Sequence, residues 1–514
     1  MAPSVLALNP LPSPDASSDE EFDFRGTAAA AAAHGAPTDD VVRYERKLGD
    51  SELSYYLPSR ANGVNDMYLH LGFTAPDALL HVGRVRAVWA IMRMRHPLLA
   101  AKVVMRDYDD VRFVYTPPAS ADDALADADK ELKYKFQTKE EARPAPEART
   151  SDYSLFICAA HSIGDGMALH AFANDFFGLL GGGLTQGEMD ALVVDEWAKR
   201  WGSPAPDRTP LPPSMEDRLP HEPGRLRNAV ARVDFQNELN KQIGGQSFPR
   251  RADKTRHTVV PTVAFDAPTT AAILKKCKAH GVTIASALFA ICNVAWARMS
   301  PRAQHALPMM MYAAMNVRPC LAPSPPNDSY WFLAVGYFNV ILPNFLPPAG
   351  AGAQEKTFWH RARSAKAQCA RAAKTPLLAA RNRQMALKRG AQSRAWARED
   401  DARDAGTWVA PPSAPAPAAE SSRAPAPPSV ALMGLSMLGN LDAVYKHAAF
   451  PAVAMHTLTT GSRQRHSGML LFGYTFAGKL WVSLGYDENG FDQKTLDVFW
   501  AGVNAAMDEL LVGS

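Results

Sequence analysis

Tyr153-Ser-Leu-Phe-Ile-Cys-Ala-Ala160, then His161-Ser-Ile-Gly-Asp165-Gly166, then Met167-Ala-Leu-His-Ala-Phe172, is the stretch on which the fold turns. Its first eight residues are mostly apolar and of strand length, which predicts a central strand buried on both faces. Apolar residues return at Met167, Leu169, Phe172, Phe176 and Leu180 with helical spacing, so a helix starts at Asp165 or Gly166 and closes before Gly181-Gly-Gly183. His161 is left on the loop between them, at a sheet edge where functional side chains collect.

The pattern extends outward in both directions. Residues 66–73 read as a strand, 75–94 as a helix with Pro76 in its first turn, 98–105 as a strand and 111–115 as its hairpin partner. Residues 202–251 are Pro-rich and poorly periodic, like a crossover. The second half repeats the order: a strand at 258–265, then helices at 269–279 and 283–299, the latter with Thr283 as N-cap. Strands follow at 307–314 and 331–346, a long helix at 355–388 and an apolar run at 430–438. A hairpin turns across Ala477-Gly478, and a closing helix covers 491–511. Strands alternating with helices give an α/β class. The expected organisation is a disordered segment at 1–40, an N-terminal lobe at 41–205, a linker at 206–255 and a C-terminal lobe at 256–514. A low-complexity Ala/Pro/Ser insertion occupies 402–429.

Composition narrows the function classes. Lys and Arg number 55 against 52 Asp and Glu, a net charge of +3 on 514 residues, which makes no case for nucleic acid. The N-terminal residues lack the basic region of a secretory signal. The longest apolar run, 284–297, is too short to span a bilayer. A soluble, cytoplasmic monomer is expected. The five Cys, at 158, 277, 292, 320 and 369, form no close pair and read as reduced, buried thiols.

His161 and Asp165 carry the chemistry. Roughly one chance His-x3-Asp is expected in a chain of this composition, and fewer than ~0.1 once Gly must follow. A neutral imidazole can take a proton from a hydroxyl or amine at pH 7. An Asp one turn later can fix the loop through backbone amides or a buried Arg, and Gly166 lets the chain turn tightly and leaves room for a substrate. For the bare spacing, a structural loop His with Asp165 as N-cap is the better explanation; the strand, Gly and helix around it turn the balance towards function. His170 adds no metal site: it lies nine residues from His161, and no Cys or further acid joins them. Walker, Gly-x-Gly-x-x-Gly and Gly-x-Ser-x-Gly motifs are absent.

The motif resembles the His-x3-Asp-Gly signature of the chloramphenicol-acetyltransferase-like superfamily, which includes BAHD acyltransferases, fungal alcohol acetyltransferases and condensation domains. Arg95-His-Pro-Leu-Leu-Ala100, Cys277-Lys-Ala-His-Gly-Val-Thr283, Asn316-Val-Arg318 and Ser436-Met-Leu-Gly439 resemble other segments of that family. There are two departures. Ala160 stands where condensation domains carry a first His, and the BAHD Asp-Phe-Gly-Trp-Gly motif is missing, which leaves the alcohol-acetyltransferase branch as the better fit. The resemblance implies two similar lobes, each a mixed sheet flanked by helices, with the active-site tunnel between them. It also implies His161 as base, Asp165 as a structural residue paired with an Arg, for which Arg318 is the candidate, Ser436 or a backbone amide near Gly439 as oxyanion donor, and Asn339 in the tunnel lining. Plainer roles for Arg318, Ser436 and Asn339 are a surface charge, a strand hydroxyl and a turn former. No cofactor or metal is implied; acyl-CoA is a co-substrate beside a small-molecule acceptor. The rival readings are a condensation-type enzyme fed by a carrier-protein thioester and a non-catalytic ligand-binding relative.

Overall fold

The computed structural model describes residues 42–135, 149–203, 209–220, 224–251, 255–301, 304–322, 329–348, 352–410 and 427–513. The expected segment at 1–40 and most of the insertion at 402–429 lie outside them. The first half runs β1 (Tyr44–Lys47), α1 (Asp50–Ser59), β2 (Met67–Pro76), α2 (Val82–Arg95), β3 (Lys102–Met105), β4 (Val111–Tyr115), α3 (Ala121–Glu131), β5 (Thr150–Ala159), α4 (Gly166–Gly181) and α5 (Gln186–Trp201). A short α6 (Met215–Arg218) and α7 (Arg225–Asn240) lead to β6 (Thr258–Val259), β7 (Thr262–Phe265), α8 (Ala267–Ala279), α9 (Ile284–Met299), β8 (Met309–Asn316) and β9 (Val335–Leu342). The chain closes with α10 (Ala353–Lys374), α11 (Leu378–Asp404), β10 (Ala431–Asn440), β11 (Ala454–Ser462), β12 (Met469–Phe476), β13 (Lys479–Asp487) and α12 (Gln493–Met507).

Three sheets form. β1-β4-β3 is small and antiparallel. β11-β2-β5 carries the motif, and its strand β11 comes from the second half of the chain. The large mixed sheet runs β6-β13-β12-β10-β8-β9, with β10 parallel to both neighbours. Two apolar cores result, and the large sheet separates them. Leu471, Leu480, Val482 and Leu484 join α8, α9 and α12 in one core; Phe472, Tyr474, Phe476 and Trp481, the alternate residues, join β2, α2 and α4 in the other. The architecture is therefore α/β with two lobes sharing a seam.

Several local expectations are corrected. β5 is an edge strand with one open face, not a strand buried on both: Ser154, Phe156 and Cys158 are exposed, Phe156 by 52%. Its run of apolar residues hid an alternating pattern. Pro76 ends β2 opposite Thr150 rather than opening a helix, and α2 starts later, capped by the His81 side chain. The 206–255 linker contains the four-turn helix α7, missed because it buries no residue. The long helix at 355–388 is two helices, broken at Thr375-Pro376, where proline removes a backbone donor. α11 runs on to Asp404, so the insertion begins beyond 402. The hairpin between β12 and β13 turns at Ala477 and Gly478, both at positive φ (52° and 69°). Among the described residues no single helix is long and apolar enough to cross a membrane.

Candidate active site

β5 stops at Ala159 and α4 starts at Gly166, so a short turn presents His161. Its Nδ1 donates to the Gly164 carbonyl (2.9 Å). A carbonyl only accepts, so the proton sits on Nδ1 and the lone pair on Nε2, which has no hydrogen-bond partner among the described residues. The Tyr55 ring stacks on the imidazole, with centroids 3.9 Å apart and planes 18° from parallel. Burial pushes the His161 pKa below the ordinary imidazole value; the backbone carbonyls and Asp165 oppose that shift without cancelling it. The ring is thus neutral at pH 7, half-buried, with one nitrogen open. Gly164 permits this turn by close approach: a Cβ there would lie 3.2 Å from the indole Nε1 of Trp331.

Asp165 makes its hydrogen bonds to partners other than His161. It is the N-cap of α4, accepting from the backbone N–H of Met167 and Ala168 (both 3.1 Å). Both its oxygens also accept from Arg318 Nη1, at 2.7 and 2.8 Å, and Oδ2 accepts from the Ala334 amide at 2.8 Å. Arg318 spends its other nitrogen on the Phe332 carbonyl at 2.6 Å. Arg318 is thus not a free surface charge. Asp165 is 2% exposed. It ties the first half of the chain to the second.

Gly166 does not have the left-handed backbone a tight turn would need; it opens α4, and a Cβ there would rest 3.4 Å from Leu438 of β10. Ser436 lies mid-strand on β10. Leu435 and Met437 face the C-terminal core, so Ser436 shares the opposite face with Gly434 and Leu438, the face turned to the motif. Asn339 is not a turn former: it sits in the middle of β9 opposite Tyr312, and its amide donates to Gln242 (2.7 Å).

Sequence reasoning missed the rest of the cluster. The Tyr55 hydroxyl meets that of Tyr337 on β9, and Gly434 is bare because a methyl would run into the ring of Tyr312 on β8. Arg389 of α11 lies over the rings of Tyr337 (4.3 Å) and Tyr55 (5.4 Å). Arg465, between β11 and β12, completes the group and donates from Nε to Asn65 (3.3 Å). Burial raises the pKa of Tyr55 and Tyr312, so these phenols are neutral donors at pH 7. The sequence held one faint signal for α1, the i, i+4 pair Leu53 and Leu57, with Glu52 closing on the Gly49 amide (2.7 Å).

His170 is fully buried, its Nδ1 bonded to the Tyr445 hydroxyl (2.9 Å), and burial drives its pKa down to about 3. Among the described residues no group of three or more His, Cys, Asp or Glu is placed to hold a metal. Of the five thiols only Cys277 and Cys292 are buried; Cys158 is exposed because β5 has an open face, and Cys320 and Cys369 are intermediate.

No family model matches the chain, and no curated protein matches it by sequence. Solved structures do. The trichothecene 15-O-acetyltransferase of Fusarium sporotrichioides aligns with a TM-score of 0.68 at 11% identity, over 91% of this chain and 95% of that one. The first condensation domain of the calcium-dependent antibiotic synthetase aligns with a TM-score of 0.50 at 13% identity, over 92% and 97%. At such identities the likeness shows the fold alone: this chain shares the fold of that acetyltransferase and of that condensation domain.

Proposed function

We propose that the chain is an acyltransferase that moves an acyl group from acyl-CoA to the hydroxyl or amine of a small molecule, with His161 as general base. One observation carries the reading. The imidazole is neutral, its Nδ1 proton is tied to Gly164, and its Nε2 has no hydrogen-bond partner among the described residues. In the reaction Nε2 takes the proton from the acceptor as its oxygen or nitrogen bonds to the thioester carbonyl carbon. The carbonyl becomes an oxyanion, and the Ser436 hydroxyl, on the facing strand, is the proposed donor to it. Collapse reforms the carbonyl, breaks the C–S bond and passes the proton from the imidazolium to the thiolate. No covalent acyl-enzyme forms. Asp165 holds the loop and touches no reacting atom. The fold is shared with a 15-O-acetyltransferase, which supports a free hydroxyl acceptor and a role in secondary metabolism.

The test is release of free thiol from a series of acyl-CoAs, with and without a library of alcohols and amines, for wild type and His161→Ala. Acceptor-dependent release that the variant lacks supports the reading. Release only from acyl groups on a carrier protein transfers it to condensation chemistry. Saturable ligand binding with no turnover of either thioester makes the chain a binding relative and refutes it.

A further inference from the structure

Arg389 and Arg465 stand beside Tyr55 and Asn65, with no carboxylate in salt-bridge range among the described residues. Their partners there are the Ser54 hydroxyl (3.3 Å), the Asn65 amide oxygen (3.3 Å) and the faces of Tyr55 and Tyr337. Two guanidinium groups come from distant segments, α11 and the β11–β12 connection, to one ring of tyrosines beside the base. Burial lowers the pKa of Arg465, and the like charge of Arg389 lowers it further; burial lowers that of Arg389 too, but the surrounding tyrosines outweigh it and the net shift is upward. Arg46, Arg318 and Arg381 are paired with Glu52, Asp165 and Asp234, and the buried Arg84 and Arg361, which lack a carboxylate, each bond at least one backbone carbonyl. Holding like charges half-buried and unpaired destabilises a fold unless an anion completes them.

Resting on the acyltransferase reading, we propose that Arg389 and Arg465 are the anion-binding half of the acceptor pocket, and that the acceptor carries a carboxylate close to the hydroxyl or amine that is acylated. Distance favours acceptor over donor. Arg389 Cζ lies 5.4 Å from the Tyr55 centroid, which lies 3.9 Å from the His161 centroid, so added end to end the guanidinium is within 9.3 Å of the imidazole. Coenzyme A carries its nearest phosphate about a dozen bonds from the thioester sulfur, roughly 15 Å along an extended chain. A phosphate on a donor reaching His161 therefore overshoots the pair, whereas a carboxylate a few bonds from the reacting hydroxyl falls on it. Tyr55 and Tyr337 line a cavity together with Arg389 and give it an aromatic wall, suited to a planar or cyclic acid.

Benzoate and its neutral isostere benzamide are the probes, titrated into the full-length protein by calorimetry and thermal shift. Benzoate is expected to bind at least about tenfold tighter than benzamide, and the preference to fall below about threefold in Arg389→Gln and in Arg465→Gln. Arg389→Lys, which keeps the charge, retains part of it. Equal binding of the two probes to wild type overturns the proposal and needs no variant. So does a preference untouched in both variants. Coenzyme A competing with benzoate where pantetheine does not would hand the cations to the donor phosphates, which also overturns it. Tighter binding of malonyl-CoA than acetyl-CoA, lost in the variants, would hand them to the acyl group and overturn it equally. Because binding needs no turnover, a protein that prefers benzoate but releases no thiol sinks the acyltransferase reading and leaves the anion site standing.

Discussion

Asp165→Asn should destabilise the protein more than His161→Ala, and the structure gives the size of the gap. The Asp165 carboxylate accepts from Arg318 through both oxygens and from three backbone amides. An amide keeps one acceptor and points an NH2 at donors, so one set of partners meets another donor and Arg318 loses its countercharge. Breaking a buried pair from one side costs about 3–5 kcal/mol. The lower end applies, because the Arg318 side chain is 20% exposed and water offsets part of the loss. His161→Ala gives up one hydrogen bond to a carbonyl and a ring stack, about 1 kcal/mol. Unfolding entropy near 2.1 cal/mol/K per residue amounts to about 1.1 kcal/mol/K for this chain, so the melting temperatures should fall by about 3 °C and about 1 °C respectively. Scanning calorimetry resolves that difference. A cycle with Arg318→Met sharpens it: the methionine should cost less in the Asp165→Asn background than in wild type by at least about 1 kcal/mol, since the partner is already lost. Equal melting temperatures for the two single variants, or additive effects in the cycle, would show that Asp165 does not anchor the loop.

His161→Ala should lower thiol release by about 10²–10⁴ with folding retained, measured by turnover beside circular dichroism. The wild-type rate should rise with pH through a midpoint below the ordinary imidazole pKa and stay level above it, because burial favours the neutral, base-competent ring; a midpoint above that value would contradict the site. Ser436→Ala should cut kcat by about tenfold or more with KM little changed, as loss of a donor used only at the transition state does, and a pure KM effect would remove it from the oxyanion. His170 sets an acid limit: folded, it stays neutral down to about pH 3, while unfolded it takes a proton near 6.5. Between these values the unfolded chain holds more protons, so stability drops as pH falls, by about 1.4 kcal/mol per unit, and His170→Phe should flatten that slope in urea titrations at several pH values.

What the sequence disclosed depended on whether the information was local. The hairpin at Ala477-Gly478 and the strand–loop–helix around His161 are written in consecutive residues, and the structure places both there. The burial of β5 was not legible, because which face of an apolar strand is covered depends on its neighbours, and one edge of β5 has none among the described residues. β11 pairs with β2 across most of the length of the chain, a register no window can reveal. α7 escaped because Leu226, Val230 and Val233 form an apolar stripe that stays exposed, interrupted by charges that blur its period. Tyr55, Arg389 and Arg465 belong to three separate elements and no motif, so only the fold assembles them.

That assembly bears on how a direct transfer can work. The proposed direct transfer needs base, acyl carbon and oxyanion donor fixed at once, since no covalent acyl-enzyme divides the problem. His161 belongs to the first half of the chain and Ser436 to the second, so their spacing is only as firm as the seam. Three features hold it. β11 leaves the second half to pair with β2 over its whole length. β12 and β13 bury alternate residues in both cores, so neither lobe moves without the shared strands. Asp165, at the foot of the His161 loop, is bonded to Arg318 and Ala334 of the second half. On the proposed mechanism, the residue that caps α4 would thus set the distance from His161 to the facing sheet, a use for the carboxylate four residues after the histidine that needs no contact with a reacting atom. Loosening it should reduce turnover through misplacement rather than through lost proton transfer. The pH midpoint of the residual Asp165→Asn activity should then stay close to the wild-type value while its amplitude falls.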